Sequence, residues 1–218
     1  MSYAREALPG RPSAVPGRAK MSKALAAWLL MVTTVVSPTT PLKVVRSSVG
    51  HLVALLHDPD LSRPVNAEKR RTEIRRVTES LFDFPEMARR TLARDWDVYP
   101  AREREEFTRL FTELLEQSYV GKIQAYAGRV VYTGESTDKT YAAVRSKILT
   151  ARQGEIAIEY RLHRAGMRWA VYDVVISGVS FVSSYRAQFN QVLQTESLRG
   201  LLQKMRQAGA LAVVKPVR

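Results

Sequence analysis

Cysteine is absent from the 218-residue chain, and that absence removes disulfide frameworks, zinc knuckles, iron–sulfur ligation and thiol nucleophiles together. Histidine is nearly absent. The three that occur, His51, His57 and His163, fall on an expected helix, on its end and at a strand end, without the spacing of metal ligands. The chain also lacks a Gly-x-Ser-x-Gly turn and a glycine-rich phosphate loop. Ser177, Gly178, Val179 and Ser180 read instead as the start of a helix, where a hydroxyl satisfies free amides. Acidic residues are scarce, 21 against 34 Lys plus Arg, leaving +13 at neutral pH. Such a balance favours anionic polymers or membrane surfaces as partners. The most apolar stretch, residues 24–36, falls short of the ~20 residues that a membrane-spanning helix needs. Hydrophobic residues at 45% and charged residues at 25% still match a folded globular chain and exclude wholesale disorder.

What precedes the fold looks like an address. Lys23 leads into the apolar stretch, and Ser37, Pro38, Thr39, Thr40 and Pro41 follow it, the layout of a secretory signal. Residues 1–20, with three prolines, two glycines and four basic residues, read as a long basic leader or as a start placed before the true one at Met21. The competing reading makes 24–36 the first core helix of a cytoplasmic protein. Cleavage is expected between Ser37 and Leu42. A chain starting at Leu42 loses five basic residues and one acidic residue, so 29 minus 20 leaves +9. The expected organisation is an extension over 1–41, one domain over 42–209 and a flexible tail over 210–218.

Apolar residues at three- and four-residue steps predict a helix over 42–56, stopped by Asp58 and Pro59. A second helix from Asn66 points Ile74, Val77 and Leu81 inward and carries Lys69, Arg70, Arg71, Arg75 and Arg76 on a solvated outer face. Phe82, Phe84, Met87, Leu92 and Trp96 make a short helix and corner before Pro100 opens the longest helix. From Arg129 the period becomes two, and strands are expected over 129–136, 141–150, 156–163 and 168–177. Helix returns over 179–193 and 198–205. Helices, then a four-stranded antiparallel meander, then helices make an α+β domain with the helices on one face of the sheet.

The string Trp169, Ala170, Val171, Tyr172, Asp173, Val174, Val175, Ile176, Ser177, Gly178, Val179, Ser180, with Tyr185, Arg186, Gln188 and Phe189 beyond it, resembles the signature of the MlaC (toluene-tolerance) family of phospholipid-binding proteins. Upstream, Phe82, Phe84, Met87, Ala88, Leu92, Trp96, Phe107, Phe111, Leu114, Leu115, Tyr119 and Tyr126 follow that family's pattern. Two positions depart from it. Ala93 stands where relatives usually have glycine, and Ser184 where they have asparagine. The resemblance implies a periplasmic carrier with a curved, nuclear-transport-factor-like (cystatin-like) sheet and helices enclosing an apolar cavity. Its cargo would be phospholipid, with no cofactor and no catalytic group. Its partners would be an inner-membrane ABC lipid transporter complex and an outer-membrane lipoprotein complex, and the carrier would act as a monomer.

The residues admit a site of that kind. Val171, Val175 and Val179 are expected on one face of the last strand and Val174 and Ile176 on the other, so both faces are apolar. The candidate cavity walls are Tyr160, Trp169, Val171, Val174 and Ile176 on strands, Phe111, Tyr119 and Tyr126 on the long helix, and Phe181 and Tyr185 on the returning helix. Asp173 is the one carboxylate in an apolar strand. It suggests the alternative of a small-pocket enzyme, against a carboxylate satisfied by backbone amides or by an arginine such as Arg186. The second alternative, a nucleic-acid-binding module, lacks solvent-facing aromatic pairs on its strands, and no nucleic-acid partner is expected.

Overall fold

The Thr40 hydroxyl accepts from the Lys43 amide at 3.2 Å and starts helix α1, Pro41–His57, with proline in the first turn, where a missing N–H leaves nothing unpaired. A computed structural model describes residues 39–125, 129–150 and 154–207, the side chains of 120–125 excepted. Residues 1–38 of the expected leader, Tyr126 and the tail lie outside the described residues, whereas Thr40 and Pro41, expected in the leader, cap and open α1. After a 3-10 turn at Pro64–Asn66, α2, Ala67–Leu81, seats Ile74 and Val77 against Leu52 and Leu56 of α1. Asp83 opens α3, Phe84–Leu92, by accepting from the Glu86 amide at 3.0 Å. A second 3-10 segment, Ala93–Val98, leads to α4, Ala101–Ala125.

Four strands follow near the expected positions: β1, Arg129–Asp138; β2, Tyr141–Thr150; β3, Gly154–Ala165; and β4, Arg168–Ile176. The sheet has five strands, however. Val179–Ser180 forms β5, paired antiparallel with Ile176 and Val175, where the sequence had suggested helix. Gly178, at φ +86, makes the tight reversal that lets these two residues pair before helix begins. The order is β1-β2-β3-β4-β5 throughout. Helix α5, Phe181–Leu193, then starts under the Ser180 cap, and α6, Leu198–Gln207, completes the described chain. The result is α+β, with six α-helices and an open antiparallel sheet among the described residues.

Alternation decides the two faces of the sheet. Ala142, Val144 and Ser146 of β2 and Ile158, Tyr160 and Leu162 of β3 are buried, whereas Tyr141 and Arg145, of the opposite parity on β2, are exposed. The buried set joins Leu81, Phe84, Phe111, Leu114 and Tyr185 in one core, so this is the helix-facing side. On the other side, cross-strand ion pairs join Arg145 to Glu159 at 3.3 Å and Lys147 to Glu155 at 2.6 Å. Pairs of this kind fix register more than they add stability.

A bulge corrects the expected faces of β4. Leu162 pairs with Val171 and Arg161 with Asp173, so Tyr172 is the extra residue. The slip puts Val171 on the helix-facing side with Val174 and Ile176, and leaves Val175 opposite, beside Glu159. Tyr172 turns to the far side, where the Arg90 guanidinium lies 3.9 Å from its ring centre. The free edge of β4 is covered by Phe82, which bridges to Val171, and by the Asp83 amide, which donates to the Val171 carbonyl at 2.8 Å.

Candidate functional site

The helix-facing side of the sheet is built in cross-strand rows. Ala142, Leu162 and Val171 form one row, and Val144, Tyr160 and Val174 the next. Tyr132, Ser146, Ile158 and Ile176 follow, and Val130, Ile148 and Ile156 come last. Burial falls along this sequence. Leu162 and Val171 are fully enclosed and Tyr160 and Val174 nearly so; in the third row Ser146 and Ile158 stay buried while Tyr132 and Ile176 are half-buried, as are Val130, Ile148 and Ile156 in the last. The interior is therefore apolar except for the Tyr160 and Ser146 hydroxyls, and it is most exposed where the last rows lie.

Helices α4 and α5 meet that opening with aromatic rings. Tyr119 stacks on Phe181 at 4.3 Å between ring centres, and Phe111 meets Tyr185 edge-on at 5.3 Å. Phe181 follows β5, whose Val179 pairs with Ile176, so the stacked pair belongs to the open end. Deeper in, Phe107, Phe111, Tyr185 and Phe189 form a closed aromatic packing. Burial pushes the Tyr185 hydroxyl well above its usual pKa, helped by the Tyr119 hydroxyl 3.5 Å away. Burial does the same to Tyr160. Both phenols stay neutral and act as polar points in an apolar lining.

The expected wall residues thus divide into two groups. Phe111, Tyr119, Tyr160, Trp169, Val171, Val174, Ile176, Phe181 and Tyr185 all belong to one apolar core or pack against it. Trp169 and Ile176 nevertheless occupy opposite ends of β4, about 23 Å apart at strand spacing. Trp169 pairs with Arg164, whose guanidinium lies over its ring at 4.4 Å. It seals the closed end. Sequence reasoning passed over Tyr132, Ile148, Ile156 and Ile158, which share the open rows with Ile176; the alternation within β1, β2 and β3 carries that signal. Two surface grooves, of about 470 and 420 Å³, lie on the helical side around Leu61, Arg71 and Ile74 and around Trp96 and Arg104. No expected wall residue lines either one.

Asp173 is enclosed, and its oxygens are taken. It accepts from the Ser180 hydroxyl at 2.7 Å, from the Val182 amide at 3.1 Å and from Arg161 at 3.3 Å. The arginine is Arg161, on the neighbouring strand; Arg186 instead donates to the Arg90 carbonyl at 2.9 Å. Asp173 therefore ties β4 to the start of α5, with its acceptors turned toward structure. His163 is likewise structural, 2.9 Å from Asp83. No cluster of three potential metal ligands occurs among the described residues.

Comparison with known proteins agrees with this interior. A phospholipid-binding protein of Ralstonia solanacearum, solved in complex with a phospholipid, superposes with a TM-score of 0.69 at 25% identity, covering 78% of this chain and 96% of that one. The intermembrane phospholipid transport system binding protein MlaC of Haemophilus influenzae is 27% identical over 120 residues, 52% of this chain, and the match spans 56% of that relative's length. The family model described as MlaC protein matches residues 46–207, from within α1 to the end of α6, and on that extent the chain belongs to the MlaC family.

Proposed function

We propose that this protein is a phospholipid carrier, holding acyl chains between the sheet and helices α4 and α5 and releasing them at the half-buried end. The observation that carries the reading is the family match over nearly all the described chain, joined to an apolar interior that grows more exposed toward Ile148, Ile156 and Ile176. Acyl chains in water lose about 0.8 kcal/mol per exposed methylene, so a carrier must surround them with groups of this kind. Phe111, Tyr119, Tyr126, Tyr160, Val171, Val174, Ile176, Phe181 and Tyr185 are the proposed walls, with Trp169 closing the far end. The sheet is read as the curved, cystatin-like half of the container. The work is binding and no chemistry is assigned to it, in keeping with the structural bonds made by Asp173.

The carrier is placed in the periplasm. That placement is supported by the signal-like stretch over 24–36 and by the intermembrane transport system named for the Haemophilus relative. Among the described residues no helix is long and apolar enough to cross a membrane. Its donors and acceptors of lipid are read as an inner-membrane ABC transporter complex and an outer-membrane lipoprotein complex, served by a monomer. The test is mass spectrometry of an organic extract from protein purified without detergent. About one phospholipid per chain is expected. Protein free of lipid after such purification overturns the reading.

A further inference from the structure

Two buried hydroxyls of the apolar interior make no hydrogen bond among the described residues. Ser146 is 2% exposed and Ser118 is 6% exposed, and among the described residues neither Oγ makes a hydrogen bond. Ser146 lies near the Tyr160 hydroxyl and Ser118 near that of Tyr185, and each serine acts to lower the pKa of its phenol, yet neither serine Oγ reaches hydrogen-bond geometry with a described residue. A buried hydroxyl left unpaired is destabilising, so native proteins seldom keep one without a use.

Their positions are informative. Ser146 stands in the row of Tyr132, Ile158 and Ile176, one row inside Ile148, or about 7 Å at strand spacing. Ser118 precedes Tyr119 on α4, whose ring stacks on Phe181 at the same open end. Each hydroxyl can donate one hydrogen bond, and the surrounding lining is apolar. A diacyl phospholipid offers a matching inventory: apolar chains, two ester carbonyls that only accept, and a charged headgroup a few ångströms beyond them.

The geometry points to Ser118 and Ser146 as donors to the ester carbonyls of a bound diacyl phospholipid, fixing the glycerol level one row inside the rim and selecting ester-linked over ether-linked lipid. The inference rests on the carrier reading and adds a specificity to it. Removing the carbonyls leaves both hydroxyls unpaired again, and that unpaired state is the source of discrimination.

The test is a competition. The full chain is incubated with vesicles holding equal amounts of diester and diether phosphatidylglycerol with identical chains, re-isolated, and its lipid quantified by mass spectrometry. Wild-type protein is expected to be enriched about tenfold in the diester. Ser118→Ala and Ser146→Ala should each reduce that ratio, and the double variant should bring it near one while still carrying lipid. A wild-type ratio near one overturns the inference without touching the carrier reading, and a high ratio unchanged by the double variant overturns the assignment to these serines. Recovery of neither lipid overturns the carrier reading itself, and this inference with it.

Discussion

Ala93 carries a conflict between a side chain and its backbone. At the end of α3 it adopts φ 52 and ψ −119, a region that glycine occupies freely and that a Cβ makes costly. Ala93→Gly is expected to raise stability by about 1 kcal/mol, the relief of strain exceeding the added freedom of the unfolded chain; a lower denaturation midpoint would show that the turn is unstrained. Two other residues distinguish the core from the proposed lipid path. Val174 is 6% exposed between Tyr160 and the helices, whereas Ile176 is half-buried one row nearer the rim. Val174→Glu should therefore lower stability by about 3–5 kcal/mol through an unpaired buried charge. Ile176→Glu, with water in reach, should fold with a melting temperature near wild type yet retain little phospholipid. Wild-type lipid content in a folded Ile176→Glu variant would place the path elsewhere.

At the level of elements, α3 shows how local chemistry fixes a helix that packs on both α5 and the sheet. Asp83 caps it, and its own amide is taken by Val171, so the Glu86 carboxylate turns outward to Arg89 at 2.7 Å and Arg90 at 2.7 Å. The hydrogen bond from Arg89 is the main cause holding the Glu86 pKa below 4.5. A carboxylate more acidic when folded stabilises above its unfolded pKa and loses that contribution as pH falls through the folded value. Glu86→Gln should thus cost about 1 kcal/mol at pH 7, and the gap to wild type should close as pH falls through the lowered folded pKa; a gap independent of pH would assign the effect to packing. Helix positions were legible in the sequence where a starting residue and the apolar period coincide, as at Pro100 before α4, whereas Thr40 and Pro41, read as the end of the leader, cap and open α1. The strand faces were legible up to the bulge, since period-two reasoning assumes an unbroken ladder and Tyr172 breaks it. The same limit hid β5, two residues whose pairing depends on Gly178 and on the neighbouring strand. For the site, the residue types were readable and their depth was not. Whether Trp169 or Ile176 faces the opening depends on which end the helices leave uncovered.

Across the whole molecule, most charges on the outer sheet face are matched, as in Arg145 with Glu159 and Arg161 with Asp173, so the positive excess is carried elsewhere. Helix α2 shows the distinction. Arg75 does not belong to a merely solvated face, because it makes a two-pronged pair with Glu116 of α4 at 3.1 and 2.7 Å. Lys69 and Arg71 are exposed with no acidic partner among the described residues, and Arg76 reaches only Glu73 while staying 72% exposed. A surface with a positive excess attracts anionic bilayers over a distance of about 10 Å at 0.1 M salt and about 3 Å at 1 M. Transfer of labelled phospholipid from the protein to vesicles rich in phosphatidylglycerol should therefore slow about tenfold across that range, while transfer to neutral phosphatidylcholine vesicles should change little. Reversing Lys69, Arg71 and Arg76 to glutamate should lower the low-salt rate and flatten its salt dependence, with folding stability within about 0.5 kcal/mol of wild type. Arg75→Glu would instead weaken the α2–α4 contact and lower the melting temperature. Equal transfer to both kinds of vesicle at low salt would mean that the basic surface only keeps the protein in solution.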